Sequence, residues 1–174
     1  QVTLESIVRA KQNLNNIVKN TPLQHNKTLS EKYGCTVLFK REDLQSVRSY
    51  KIRGAFNLIA QLPQEKKDKG VVCASAGNHA QGLAFACNHF GIKGTIFMPV
   101  TTPRQKIYKT RKVGGEFIDI ELTGDTFDAA YAKAVKLSKE SGKVFVHPFN
   151  DPVVVSGQGT VGLEILSDCK QHID

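Results

Sequence analysis

The sequence predicts an α/β protein that contains an open parallel sheet of four strands with flanking helices, together with part of a second α/β domain. Short apolar stretches alternate with helical patterns of about 10 to 15 residues, which is typical of strand–helix–strand units. Hydrophobic residues make up 40% of the 174 residues, enough for a packed core. No apolar run approaches the roughly 20 residues that a helix needs to cross a bilayer.

The N-terminal part begins with an amphipathic helix. Thr3 is a good N-cap, and the apolar residues that follow it, as far as Val18, lie close to one helical face. Thr21 and Pro22 end this helix, because the residue before a proline avoids helical geometry. The next predicted elements are a strand at residues 36–40, a helix at residues 52–62 and a charged turn after Pro63.

The rest of the chain alternates regularly between strands and helices. Gly91 is expected to end one helix, and Thr102 with Pro103 to begin the next. The predicted strands cover residues 71–75, 94–99, 116–121 and 143–147. The predicted helices cover residues 78–90, 103–113, 126–141 and 159–170, with a turn at residues 150–152.

The turn from the strand at residues 71–75 into the next helix has the features of an anion site. Ser75, Ala76 and Gly77 are small, so a ligand can approach the backbone closely. The free amides and the dipole of a helix N-terminus favour anions, and ligands of parallel sheets bind at the carboxyl ends of strands. An anion or carboxylate pocket at Ser75 to His79 is one interpretation. A plain tight turn capped by Asn78 is the other.

A second segment places Lys51 near the start of a helix, beside the aromatic Tyr50. A lysine becomes a nucleophile when burial or a neighbouring cation favours its neutral form. Arg48 and Arg53 are the cations expected nearby. The residues alone do not distinguish Lys51 from an ordinary exposed lysine.

Two motifs and several longer strings resemble a known family. SYKIRG, at residues 49–54, resembles the S-F-K-x-R-G lysine motif of the threonine and serine dehydratases, and SAGNHAQG, at residues 75–82, resembles their second signature. The strings MPVTTPRQK, LTGDTFD and SGQGTVGLE are similar to the same branch. The resemblance covers residues 21–166 and indicates the tryptophan-synthase-β-like class of pyridoxal-phosphate enzymes.

This resemblance implies a function and a role for each motif residue. Lys51 would hold pyridoxal 5'-phosphate as a Schiff base, with the Tyr50 ring packed near the cofactor. Asn78 would bond the ring hydroxyl of the cofactor, and the turn at residues 75–79 would bind the substrate carboxylate. The implied reaction removes the β-hydroxyl of L-threonine, or of L-serine, and releases a 2-oxo acid and ammonia.

The resemblance also implies a domain organisation. Residues 1–50 would belong to a larger domain, residues 51–155 would form a smaller domain inserted in it, and residues 156–174 would begin the return to the larger domain. The family binds the cofactor phosphate in a glycine-rich loop after the next strand, and no such loop lies within these 174 residues. We therefore expect an N-terminal part of a longer enzyme, inactive by itself.

Two alternatives belong beside this interpretation. A serine racemase or another β-eliminating enzyme would use the same cofactor, but the racemases carry a serine where this chain has Ala76. A folded, non-catalytic domain is the alternative from another class.

Composition limits the partners that are expected. The net charge of +8 raises nucleic acid as a partner, but the basic cluster at residues 104–112 matches a solvated helix face and no nucleic-acid module. The four cysteines and the histidines lack a zinc-ligand spacing, which favours reduced thiols in the cytoplasm and no metal. No membrane partner is expected, and the full-length enzyme is expected to be a homo-oligomer.

Overall fold

A computed structural model describes residues 1–173, which form eight α-helices, six strands and two short 3₁₀ helices at Glu42–Leu44 and Gly115–Phe117. The helices are α1 (Leu4–Asn13), α2 (Lys27–Tyr33), α3 (Lys51–Ala60), α4 (Gln64–Lys69), α5 (Asn78–Phe90), α6 (Arg104–Gly114), α7 (Phe127–Ser141) and α8 (Pro152–Asp168). The strands are β1 (Leu23–His25), β2 (Leu38–Lys40), β3 (Val71–Ala74), β4 (Gly94–Met98), β5 (Ile118–Leu122) and β6 (Val144–Phe145).

The last four strands form one parallel sheet in the spatial order β5-β4-β3-β6. This confirms the predicted four-stranded parallel sheet with flanking helices. Strand β3 lies inside the sheet and is buried along its whole length, which explains why its sequence is a continuous apolar run. Because the strands are parallel, their carboxyl ends meet at one edge of the sheet.

Alternate residues of β3 serve two different cores, because successive side chains of a strand point to opposite faces. Val71 and Cys73 belong to the larger core, which includes buried residues of α3 and α5. Val72 and Ala74 pack on the other face against Ala134 of α7. The helices therefore cover both faces of the sheet.

Helix α3 is surrounded by other helices and contacts α5, α8 and α1. Its residues 52–59 are all buried. A Cβ added at Gly54 would lie 2.8 Å from the Val154 carbonyl oxygen, and one added at Gly157 would lie 2.5 Å from the Arg53 carbonyl oxygen. The two glycines therefore allow α3 and α8 to cross at a distance that a side chain would prevent.

The structure corrects several predicted boundaries. Helix α8 begins at Pro152 and not near residue 159, because the Asp151 side chain accepts hydrogen bonds from the Val153 and Val154 amides and Pro152 fits the first helical position. Helix α1 ends at Asn13, although Leu14 beyond it still packs into the core. The charged turn after Pro63 is helix α4, and sequence analysis missed two short elements, β1 and α2, together with the pairing of β1 and β2.

Candidate active site

Lys51 is the first residue of α3, and its side chain reaches the carboxyl edge of the parallel sheet. The Lys51 Nζ donates a hydrogen bond of 2.7 Å to the carbonyl oxygen of Pro148, which follows β6. The same atom lies 5.1 Å from the centre of the Tyr50 ring, and that ring is half-exposed. The amine is therefore held by one neutral acceptor beside an accessible aromatic surface.

The turn that precedes α5 lies at the same edge. The Ser75 amide donates to the Phe97 carbonyl, and the Ser75 hydroxyl accepts from the Gly77 amide at 3.2 Å. Asn78 is the first helical residue, and Gly77 in the N-cap position provides no side-chain cap. The first amides of α5 therefore keep the free donors and the positive dipole end that bind an anion.

A glycine of the second motif brings the two segments together. A Cβ added at Gly82 would lie 2.9 Å from the Lys51 carbonyl oxygen and 3.1 Å from the Ile52 amide nitrogen. Only a residue without a side chain allows α5 to approach the start of α3 so closely. The backbone of Lys51 and helix α5, which follows the turn at residues 75–77, are neighbours for this reason.

His79 is part of the predicted carboxylate turn, but its ring is turned into the protein. Its Nε2 donates to the Val146 carbonyl oxygen at 2.9 Å, and its Nδ1 has no hydrogen-bond partner within residues 1–173. Burial is the main cause that lowers the pKa of His79 to about 4; the charges of Lys51 and His147 act in the same direction, and the Val146 bond opposes them. The His79 ring is therefore neutral at physiological pH, and only its backbone amide is left to serve the turn.

Two residues of the site were missed by sequence analysis. Pro148 contributes a backbone carbonyl, which a sequence motif cannot reveal. The Nδ1 of His147 accepts hydrogen bonds from the Phe149 and Asn150 amides, at 3.3 and 2.8 Å, and so folds the chain that carries Pro148. The position of His147 at the end of the predicted strand at residues 143–147 was the available signal.

The expectation that the Arg53 side chain stands beside Lys51 is wrong. The Arg53 side chain is fully buried and bonds to the carboxylates of Glu42 and Glu164 at 2.7 to 2.9 Å. Arg48 donates to the Asp43 carbonyl at 3.4 Å. Both guanidinium groups are engaged elsewhere; for Arg53 the reason is that α3 turns its successive side chains to different sides.

Other chemistries find little support in the described part of the chain. Within residues 1–173, no group of three or more His, Cys, Asp or Glu side chains could hold a metal ion. No helix there combines the length and apolar character needed to cross a bilayer. The four cysteines are free, and burial raises the pKa of Cys87 to about 12 and that of Cys73 even further. These two thiols are therefore protonated and poorly nucleophilic.

The geometry defines a class of protein: an α/β fold with a lysine amine and a helix N-terminus without a side-chain cap at one edge of a parallel sheet. Residues 14–174 match the family described as pyridoxal-phosphate dependent enzyme. The chain belongs to this family, and pyridoxal phosphate is the cofactor of its members.

Named relatives make the likeness more specific. The chain is 54% identical over 167 residues to the biosynthetic L-threonine dehydratase IlvA of Bacillus subtilis, a match that covers 96% of this chain and 40% of the relative. It is 51% identical over 167 residues to the L-threonine ammonia-lyase of Thermotoga maritima, with 96% and 41% covered. The chain therefore spans about 40% of the length of these curated relatives.

Solved structures confirm the fold. The processed form of threonine deaminase isoform 2 from Solanum lycopersicum superposes with a TM-score of 0.86 at 40% identity, covering 97% of this chain and 47% of that one. Maize serine racemase superposes with a TM-score of 0.89 at 33% identity, covering 95% and 50%.

Proposed function

We propose that this chain is part of an enzyme that eliminates the β-hydroxyl of L-threonine, and of L-serine, to give 2-oxobutanoate or pyruvate and ammonia. The observation that carries the proposal is the position of Lys51 at the carboxyl edge of the sheet, with its backbone against Gly82 of α5 and its amine on the Pro148 carbonyl. The names of the relatives as threonine dehydratase and threonine ammonia-lyase support the choice of substrate.

The residues present suit pyridoxal phosphate. Lys51 offers a primary amine whose hydrogen-bond partner is a neutral carbonyl, and Tyr50 offers a half-exposed ring next to it. Asn78 stands at the first position of α5 and would bond the hydroxyl of the cofactor ring. When bound, the cofactor withdraws electrons from the substrate Cα and so makes its proton acidic.

The chain's own groups would orient the substrate and move its proton. The free amides at the start of α5, in the turn at residues 75–79, would bind the substrate carboxylate. The Lys51 amine donates one hydrogen to the Pro148 carbonyl, so in its neutral form its lone pair remains free to take the Cα proton. Fixing both groups on one frame provides the alignment on which proton transfer depends.

The predicted domain organisation is part of this proposal. Residues 51–155 would form the smaller domain around the parallel sheet, and residues 1–50 would join residues 156–174 in the larger domain. Helix α3 packs against both α5 and α8, so the two parts would meet along this helix. A cytoplasmic location and assembly of the whole enzyme into a homo-oligomer also belong to the proposal.

The proposed function is tested by supplying the whole protein with pyridoxal phosphate and L-threonine, then measuring 2-oxobutanoate and ammonia in equal amounts. L-Serine should give pyruvate, and D-threonine should give no product. Absence of 2-oxo acid from both L-amino acids, in a protein that carries the cofactor on Lys51, would refute dehydration. It would instead favour a non-catalytic or different β-eliminating role.

Serine racemase is the second candidate, because the maize enzyme has the same fold over 95% of this chain. Ala76 is the residue that separates the two, since its methyl group cannot transfer a proton to the opposite side of the substrate. Recovered L-serine should therefore keep its configuration. The variant Ala76→Ser should raise the yield of D-serine, and substantial D-serine from the unaltered protein would favour the racemase instead.

A further inference from the structure

Residues 146–150, which we call the anchor segment, lie between β6 and α8. The Val146 amide donates to the Val72 carbonyl at 2.8 Å, and two histidine rings make further hydrogen bonds to the segment. The His79 Nε2 donates to the Val146 carbonyl at the start of the segment. The His147 Nδ1 accepts from the amides of Phe149 and Asn150 at its end. Between these two contacts, the Pro148 carbonyl accepts a hydrogen bond of 2.7 Å from the Lys51 amine.

The partners fix the protonation of both rings. A carbonyl oxygen only accepts, so His79 carries its hydrogen on Nε2. Backbone amides only donate, so the Nδ1 of His147 must be free of hydrogen. The His147 bonds therefore exist only while that imidazole is neutral, and the buried His79 is neutral as well. Burial favours this state, since it lowers the pKa of His79 and that of His147.

The two histidines act on different ends of the segment. His79 stands at the second position of α5, within the turn proposed to bind the substrate carboxylate, and is 3% exposed. Its bond to Val146 fixes the distance between that turn and the segment. His147 is partly exposed, and its bonds close the segment into a turn that directs the Pro148 carbonyl toward Lys51.

We propose that His79 and His147 are positioning residues. Through the anchor segment, they hold the Lys51 amine at a fixed position relative to the turn at residues 75–79 that is proposed to bind the substrate carboxylate. The assignment rests on the proposed function, in which Lys51 moves the Cα proton. It adds two side chains that act without touching the substrate. Loss of either histidine contact would loosen the Pro148 carbonyl and, with it, the Lys51 amine, although the Val146 amide keeps its bond to the Val72 carbonyl.

The chain offers matched variants for each histidine. In His79→Gln the side-chain amide can still donate to Val146, whereas His79→Phe keeps the ring and loses the donor. In His147→Asn the side-chain oxygen can replace Nδ1 as acceptor, whereas His147→Phe keeps the ring contact with Phe149 and loses the acceptor. His89→Phe is the control, because His89 lies on the same helix α5 with its ring against Phe56.

The first measurement follows Lys51 directly and does not depend on catalysis. The cofactor-free whole protein is labelled with trace acetic anhydride, and acetylation is measured at each lysine by mass spectrometry. We expect labelling of Lys51, relative to the exposed Lys109 and Lys133, to rise about threefold or more in both Phe variants. Labelling in His79→Gln, His147→Asn and His89→Phe should match the unaltered protein.

The second measurement is the turnover of L-threonine by the cofactor-loaded protein. The Phe variants should lose about tenfold or more in kcat, with KM within about threefold, because a displaced base slows proton transfer more than binding. His79→Gln and His147→Asn should restore most of kcat. If His79→Phe does not fold, the His147 pair decides.

The proposal is overturned if Lys51 labelling is unchanged in the Phe variants, or if the Gln and Asn variants are as impaired as the Phe variants. An unaltered protein that does not deaminate threonine would refute the proposed function. In that case the labelling comparison still determines whether the two histidines hold Lys51.

Discussion

Lys51 and Arg53 are two cations of the same motif, two residues apart, and their surroundings are opposite. The Arg53 side chain is 1% exposed and is neutralised by the carboxylates of Glu42 and Glu164. The Lys51 amine is half-buried and donates to a neutral carbonyl. Residues i and i+2 of a helix point about 200° apart, so one side chain necessarily turns to the sheet edge when the other turns to α8.

Two residues of one six-residue motif therefore have different roles. Arg53 connects distant parts of the fold, and Lys51 belongs to the candidate active site. Arg53 connects the segment before α3 to α8, with partners up to 111 positions away. Burial alone would raise the pKa of Glu42, but the hydrogen bonds from Arg53 and Thr21 lower it below its usual value. The cluster is therefore a set of fixed charges that satisfy one another. Lys51 keeps an uncompensated amine, which is what covalent and acid–base chemistry requires.

Removing the amine should give the largest effect. Lys51→Ala should lower the release of 2-oxobutanoate from threonine by at least about 10³-fold, because it removes the group proposed to take the Cα proton. Borohydride should no longer trap a cofactor adduct at residue 51, while the far-ultraviolet circular dichroism stays unchanged. The control is Lys109→Ala, on the exposed side of α6. Retained turnover in Lys51→Ala would remove this lysine from the site.

Removing the buried guanidinium should instead affect stability. Arg53→Met leaves Glu42 buried without its cation and leaves Glu164 with Lys40 alone, at 2.8 Å, so urea unfolding should show a loss of about 3–5 kcal/mol. Arg53→Lys should lose less stability than Arg53→Met, since lysine keeps the positive charge. It lacks the planar guanidinium group that bonds to two carboxylates at once. Arg9→Met removes the exposed pair with Glu5, at 3.5 Å, and should change stability by at most about 0.5 kcal/mol. Equal losses of stability in Arg53→Met and Arg9→Met would show that the Arg53 ion pairs do not hold the segment before α3 against α8.

The pH dependence of the unfolding free energy provides a separate test, which concerns the buried His79. The pKa of His79 is about 4 in the folded protein, against an ordinary value of 6.5. The unfolded chain therefore binds a proton over an interval in which the folded chain does not, and stability decreases as the pH falls through it. The expected loss between about pH 7 and about pH 4 is on the order of 3 kcal/mol.

His79→Gln isolates this contribution, because glutamine does not titrate. Its unfolding free energy should vary less with pH over the same interval. Glu42 is common to both proteins, and its lowered pKa stabilises the fold above the ordinary carboxyl pKa, a contribution that is lost as the pH falls through the folded-state value. Parallel pH curves for the two proteins would contradict a neutral buried His79.

The smallest expected effects concern the glycines of α8, and they have opposite signs. Gly157→Ala puts a Cβ 2.5 Å from the Arg53 carbonyl oxygen, so it should cost about 1–3 kcal/mol in urea unfolding. A Cβ added at Gly162 would meet open space, so Gly162→Ala should stabilise the helix by up to about 1 kcal/mol. A stabilising Gly157→Ala would mean that α3 and α8 do not cross as closely as the backbone indicates.

Regular periodicity made much of the fold predictable. The continuous apolar run of β3 and the helical repeats of α5 and α7 predicted the parallel sheet, and the small residues before Asn78 predicted the tight turn that leads into α5. The pairing of the three-residue strands β1 and β2 was missed because so few residues carry no measurable period. The start of α8 was misplaced although Asp151 and Pro152 are a standard helix-start signal.

The sequence by itself determined the chemistry available to this protein: a lysine in a family motif, a turn of small residues before a helix, and alternating strands and helices. The tertiary structure alone decided which polar groups meet. Arg53 forms an ion pair with Glu164, and Lys51 donates a hydrogen bond to the Pro148 carbonyl. His79 donates to the carbonyl of Val146, which lies 67 positions away in the sequence. Local patterns are encoded by neighbouring residues, whereas these contacts depend on how helices and strands far apart in the chain pack against each other.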